Sequence, residues 1–131
     1  MTTAVHWYYT ADSDKGFEAA VAAVGAAAAA HGFRVLHVHD VAATLAAKGF
    51  ERAPYSIVEI CQASMAWEVL EVEIHAGLML PCKISVYTAS GQTRISALRP
   101  ALMAMLFPGS GLEDLAERID KDVIAIVDAA R

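Results

Sequence analysis

The segment from Ser110 to Ile126 constrains the chain more than any other. Ser110-Gly111-Leu112-Glu113 has the form of a capping box, in which hydroxyl and carboxylate each satisfy a backbone N–H at a helix start. From there Leu112, Leu115, Ile119, Val123 and Ile126 make one apolar stripe, with Glu113, Glu117, Asp120 and Lys121 on the opposite side. A helix built this way owes its stability to packing, so the chain must supply a broad apolar surface for it. A sheet is the expected partner.

Strand patterns supply that surface. Val5 to Thr10, Phe33 to His39, Tyr55 to Cys61, Leu80 to Thr88 and Thr93 to Leu98 are rich in β-branched and aromatic residues. Ser90-Gly91 reads as a tight turn between the last two, and Pro100 ends the final strand. Between the first two strands, Phe17, Ala20, Val21, Val24 and Ala28 recur at helical spacing. Asp12 and Ser13 offer N-caps for that helix, and Gly32 suits its left-handed C-terminal position. Asp40 heads a short helix through Lys48 that Gly49 can close, and Ser64 to about Ile74 reads as another. Val72 to His75 also alternates and could be extended. The expected fold is α+β: a two-layer sandwich with helices on one face of an antiparallel sheet, in one domain spanning 1–131.

Composition narrows the partners. The chain has 131 residues, 56% hydrophobic and 19% charged, so alanine-rich helices can approach closely while the polar skin stays limited. That balance favours covering some apolar surface with a second subunit. The net charge is −5 and no Lys/Arg cluster occurs, which argues against nucleic acid as a partner. The opening residues lack the basic start of a signal peptide, and the longest apolar run, Ala19 to Ala30, is too short to span a bilayer. No membrane association is expected. Two distant cysteines do not form a secreted disulfide framework, so a cytoplasmic setting with reduced thiols is expected.

Cys61 and Cys82 are the first candidates for chemistry. Cys61 ends the third strand and Cys82 lies near the start of the fourth. If those strands are antiparallel neighbours, the thiols meet at one edge of the sheet, within the α-carbon separation of about 7 Å that a disulfide tolerates. Cys61 also precedes a helix, whose free N–H groups favour a thiolate. Against this, cysteine often serves as a small buried hydrophobe. Glu68, Glu71 and His75 form a second group, at helical spacings that could hold a divalent metal or simply make a solvated face. His75 could also act as base or ligand beside Cys82. His37 and His39 alternate along a strand and share a face, which His6 and Tyr8 could join. Met79, Met103 and Met105 with Leu102, Leu106 and Phe107 could form a lid, a subunit contact or core.

Three stretches resemble the family catalogued as domain of unknown function 302. They are Gly32-Phe33-Arg34-Val35-Leu36 leading to His39-Asp40-Val41, then Ile60-Cys61, then Leu80-Pro81-Cys82-Lys83-Ile84-Ser85-Val86-Tyr87. Gln62-Ala63 stands where the family often carries Asn-Pro. The resemblance implies a fold similar to a TATA-binding-protein half-domain, with strand, helix, four strands and helix in that order, and it implies a homodimer. It implies no established activity. Three functions therefore stay open. One is a binding or accessory module holding a small ligand or partner in the cleft between sheet and helices. Another is a thiol- or metal-dependent enzyme centred on Cys61, with Cys82 as resolving thiol or co-ligand. The third is a purely structural interaction domain.

Overall fold

A computed structural model describes residues 6–131. Five strands form one antiparallel sheet: β1 (Tyr8–Ser13), β2 (Arg34–Asp40), β3 (Tyr55–Cys61), β4 (Cys82–Ala89) and β5 (Gln92–Leu98), in spatial order β1-β5-β4-β3-β2. The helices are α1 (Phe17–Ala30), α2 (Val41–Ala46), α3 (Ala63–Val72), α4 (Leu102–Leu106) and α5 (Glu113–Ala130), with a 3₁₀ segment at Ile74–Met79. The expected α+β class and helix-covered sheet are both present. With the short helices set aside, the order is strand, helix, four strands, helix.

The core lies between the sheet and the long helices α1 and α5. On the sheet side it takes every second residue: Val58 and Ile60 of β3, Ile84 and Val86 of β4, Ile95 and Ala97 of β5. On the helix side Ala20, Val24 and Ala28 of α1 meet Ile119, Val123, Ile126 and Val127 of α5. Each fully buried branched side chain contributes about 1.5–3 kcal/mol relative to exposure. The alanine face of α1 lets it lie close to both α5 and the sheet.

Several local outcomes differ from the sequence pattern. β1 extends from Tyr8 to Ser13, because its ladder to β5 runs from Tyr8↔Leu98 to Ser13↔Thr93. Val5, the expected start, lies outside the described residues. Asp12 and Ser13 are therefore strand residues, and Gly16 takes the N-cap position of α1 without a side-chain bond. Ser13 Oγ instead accepts from Lys15 N at 3.1 Å. The Ser110–Glu113 motif does not form the expected capping box: Leu112 takes the N-cap position of α5 with no side-chain bond, while Ser110 Oγ accepts from Leu112 N and Glu113 Oε1 from Gly109 N, both at 3.3 Å. Asp120, expected on the polar side of α5, is buried. Arg99 donates to it from Nε at 3.3 Å and from a terminal guanidinium nitrogen at 2.8 Å, and Ala101 N donates at 3.1 Å.

The Asp40 cap, Gly32 and the β4–β5 turn fall where the sequence places them, while α2 stops at Ala46, short of the expected Lys48. Asp40 caps α2 by accepting from Ala43 N at 2.9 Å. Gly32 takes φ +79°, and Ser90 and Gly91 both have positive φ in the β4–β5 turn. In the apolar run, Met103 is core whereas Met105 and Leu106 are exposed. Among the described residues no helix is long and apolar enough to cross a membrane.

Candidate functional site on the open face of the sheet

The helices cover one side of the sheet, and the other side carries the polar half of each strand. Alternation puts Tyr55, Ile57 and Glu59 of β3 there, with Lys83, Ser85 and Tyr87 of β4 and Arg94 and Ser96 of β5. Antiparallel register then lines these residues up in rows. The central row runs His39, Ile57, Ser85, Ser96, Thr10 across all five strands. A second runs Tyr55, Tyr87, Arg94, Asp12, and a third brings His37, Glu59 and Lys83 together.

Hydroxyls join the middle of this face. Ser96 Oγ lies 2.7 Å from Tyr87 Oη and 2.7 Å from Thr10 Oγ1, a three-member chain bridging β4, β5 and β1. Tyr55 stacks on Tyr87 with ring centroids 5.3 Å apart, and the Arg52 guanidinium sits 5.1 Å over the Tyr55 ring. At the other end Trp7 and Tyr8 meet edge to face at 4.8 Å. Between these aromatic pairs lies an open hollow of about 490 Å³ whose floor includes Ser85 and Ser96.

The charges on this face are unevenly satisfied. His39 Nε2 lies 3.1 Å from Glu59 Oε1, and Arg94 Nε lies 3.3 Å from Asp12 Oδ1. Lys83 borders the hollow and donates to Pro81 O at 3.3 Å, but forms no ion pair among the described residues. It also borders a second hollow of about 310 Å³, which His39, Ile57 and Glu59 share with Val41, Thr44 and Leu45 of the α2 region. His37 and His39 share the open face, as their alternation predicts, with rings 4.3 Å apart. His6 precedes the strand and does not join the rows.

The cysteines lie elsewhere. Cys82 is the register partner of Ile60, and Cys61 is the next residue along β3, opposite Arg34 of β2. Both thiols are free, and they border one cavity of about 10 Å³ with Phe33, Met65, Leu80 and Ile119. Burial, and secondarily the neighbouring Cys61, push the Cys82 thiol up to about 11, and Lys83 only partly opposes this. That is the reverse of the shift a nucleophile or metal ligand requires. Gln62, at the N-cap of α3, donates its amide to Gly32 O at 3.3 Å rather than capping the helix.

Glu68, Glu71 and His75 do not form the expected helix face. The helix ends at Val72, and extended Glu73 (φ −152°, ψ 105°) breaks the periodicity before His75. Glu73 accepts from His75 N at 2.9 Å and lies 2.8 Å from His75 Nδ1. These bonds, the backbone one first, hold the Glu73 carboxyl below its ordinary value. Glu68 accepts from Arg118 at 3.2 Å instead. Among the described residues no group of three or more His, Cys, Asp or Glu is placed to hold a metal ion.

The cleft between the layers is filled as well. Its cavity beside Met79, Leu98 and Met103 is about 20 Å³, and the one at the cysteines is smaller. Neither exceeds the space of a water or two. Sequence reasoning passed over Lys83, Ser85, Tyr87 and Ser96, although the period-two pattern marks their common face.

No curated protein matches the chain. A crystal structure described as an uncharacterized conserved DUF302 protein from Bacillus stearothermophilus is similar to it, with a TM-score of 0.91 and 29% identity. That match covers 97% of this chain and 100% of the other. The family model described as "Domain of unknown function DUF302" matches residues 9–130, and the chain belongs to that family.

Proposed function

We propose that this chain is a cytoplasmic accessory module that binds a small ligand on the open face of its sheet and works as a homodimer. The observation that carries the ligand reading is the hollow of about 490 Å³ over Ser85 and Ser96, bordered by two aromatic pairs and by Lys83. Its volume falls in the range of small-molecule sites, and apolar walls with a few polar groups are their usual make-up. Chemistry at Cys82 is disfavoured, because burial pushes its thiol up to about 11. A fragment library followed by residue-resolved amide NMR tests the reading. Shifts concentrated at Thr10, Ser85, Tyr87 and Ser96 are expected. Ligands that shift only residues elsewhere, or no ligand at all, would refute it.

A separate observation favours the dimer. Trp67, Leu70, Ile74 and Leu78 form an exposed apolar ridge along α3 and the 3₁₀ segment, with Ile74 at 70% and Leu78 at 86% exposure. Large apolar ridges on small domains mark association surfaces. Glu68 of the same helix is paired with Arg118 at 3.2 Å, so the ridge carries no unpaired charge from that residue. Sedimentation equilibrium tests it, with a dimer expected and a monomer at every accessible concentration ruling it out.

A further inference from the structure

The hydroxyls linked over the hollow leave one donor proton uncommitted among themselves. Tyr87, Ser96 and Thr10 have three hydroxyl protons between them and make two mutual hydrogen bonds. Whichever direction each bond takes, one proton is left over. It sits on Thr10, on Tyr87 or on Ser96, and in each case it can be donated to a molecule resting on the chain. Chains of this kind polarise, so the free donor is strengthened by the bonds behind it. Lys83 adds an ammonium whose only hydrogen bond among the described residues is to Pro81 O.

Neither carboxylate of this face, Glu59 beside His39 or Asp12 beside Arg94, borders the larger hollow. The one charged residue bordering the larger hollow is therefore a cation, on a chain whose net charge is −5. The chain as a whole repels anions, so anion preference here must come from local contacts. The walls are flat rings: Trp7 and Tyr8 at one end, Tyr55 and Tyr87 at the other. An aromatic cage without Lys83 would suit an organic cation. With the ammonium at its edge, that ligand is disfavoured.

We propose that the ligand is a planar organic anion, its ring against the aromatic walls and its anionic oxygens accepting from Lys83 Nζ and the free hydroxyl of the Tyr87–Ser96–Thr10 chain. The proposal rests on the open-face reading given above and names the ligand class for it. No bond is made or broken; the step is binding alone.

Benzoate and its neutral counterpart benzamide separate the charge from the ring. Each is titrated into the wild-type chain and into Lys83→Met, following the amide signals of Thr10, Ser85 and Ser96. Lys83 is exposed, so its replacement leaves the core untouched. Benzoate should shift those amides and bind about tenfold or more tightly than benzamide, as a charge-assisted hydrogen bond implies. Lys83→Met should remove that advantage, and added salt should weaken benzoate alone. Equal binding of the two probes, or benzoate binding untouched by Lys83→Met, overturns the anion assignment and leaves the open face standing as a binding site. If neither probe shifts these amides, the ligand class is wrong. The fragment library then decides the rest: a hit on the same amides preserves the open-face reading, and none removes it too.

Discussion

Asp120 shows how much one residue can hold together. It sits in the middle of α5, buried, and binds both the Arg99 guanidinium at the end of β5 and the Ala101 amide that leads into α4. Replacing it with alanine leaves the Ala101 N–H without its partner and removes two charge-assisted bonds. Arg99 is partly exposed and can turn to water, which limits the loss. We expect Asp120→Ala to cost about 2 kcal/mol in urea unfolding; a change below about 0.5 kcal/mol would mean the bonds are incidental. Cys82 supplies a second test at this scale. Its thiol is raised to about 11 in the folded chain from an ordinary 9.0, chiefly by burial. Between those values the unfolded chain releases the proton first, so stability is unaffected below about pH 9 and falls as pH rises through about 11. Cys82→Ala should lack that part of the alkaline loss, and identical alkaline profiles for the two chains would count against the shift.

At the scale of elements, glycines divide by conformation. Gly25 lies within α1 with helical geometry, and a β-carbon there would meet Val35 at an ordinary 3.8 Å. Gly25→Ala should therefore stabilise the chain by about 0.5–1 kcal/mol, read as a raised melting temperature. Gly32 is the opposite case: φ is +79° and a β-carbon would come within 3.0 Å of the Gln62 amide. Gly32→Ala should destabilise by about 1 kcal/mol or more. The sign difference between the two is the test, and a loss at both would show that α1 has no room for the added methyl. Gly32 was legible from sequence, because a glycine after an apolar stripe has a local cause. So were β3, the Asp40 cap and the β4–β5 turn. Asp120 was not, because a carboxylate one residue from the stripe reads as solvated until Arg99 is brought beside it from another element. Glu73 was not either. Its extended backbone ends α3 and separates His75 from Glu68 and Glu71, which the local alternation of Val72 to His75 leaves undecided. The open-face site was half legible: strand alternation marks its residues, but only the register joins Ser96 to Tyr87 and Thr10.

At the scale of the whole molecule, the two outward surfaces do different things. Among the described residues, the cavities at the cysteines and beside Met103, between the sheet and the helices, hold no more than a water or two. That leaves the open face for binding and the helical layer for association. The ridge of Trp67, Ile74 and Leu78 is carried by α3 and the 3₁₀ segment, and α3 packs against α5 in that layer. Association through the ridge would therefore leave the Ser85–Ser96 hollow uncovered on the far side of the sheet. This separation makes a sharp prediction. Ile74→Glu combined with Leu78→Glu places two like charges at the centre of the contact. Both positions are exposed in the single chain, so neither substitution opens a cavity. The double variant should sediment as a monomer and lose the concentration dependence of its melting temperature, because subunit binding no longer adds to folding. Its amide signals at Thr10, Ser85 and Ser96 should stay where they are. A double variant that still sediments as the wild-type dimer would move the contact away from the ridge. Displaced signals over the hollow would mean that the two surfaces are coupled, with ligand and partner affecting each other's affinity.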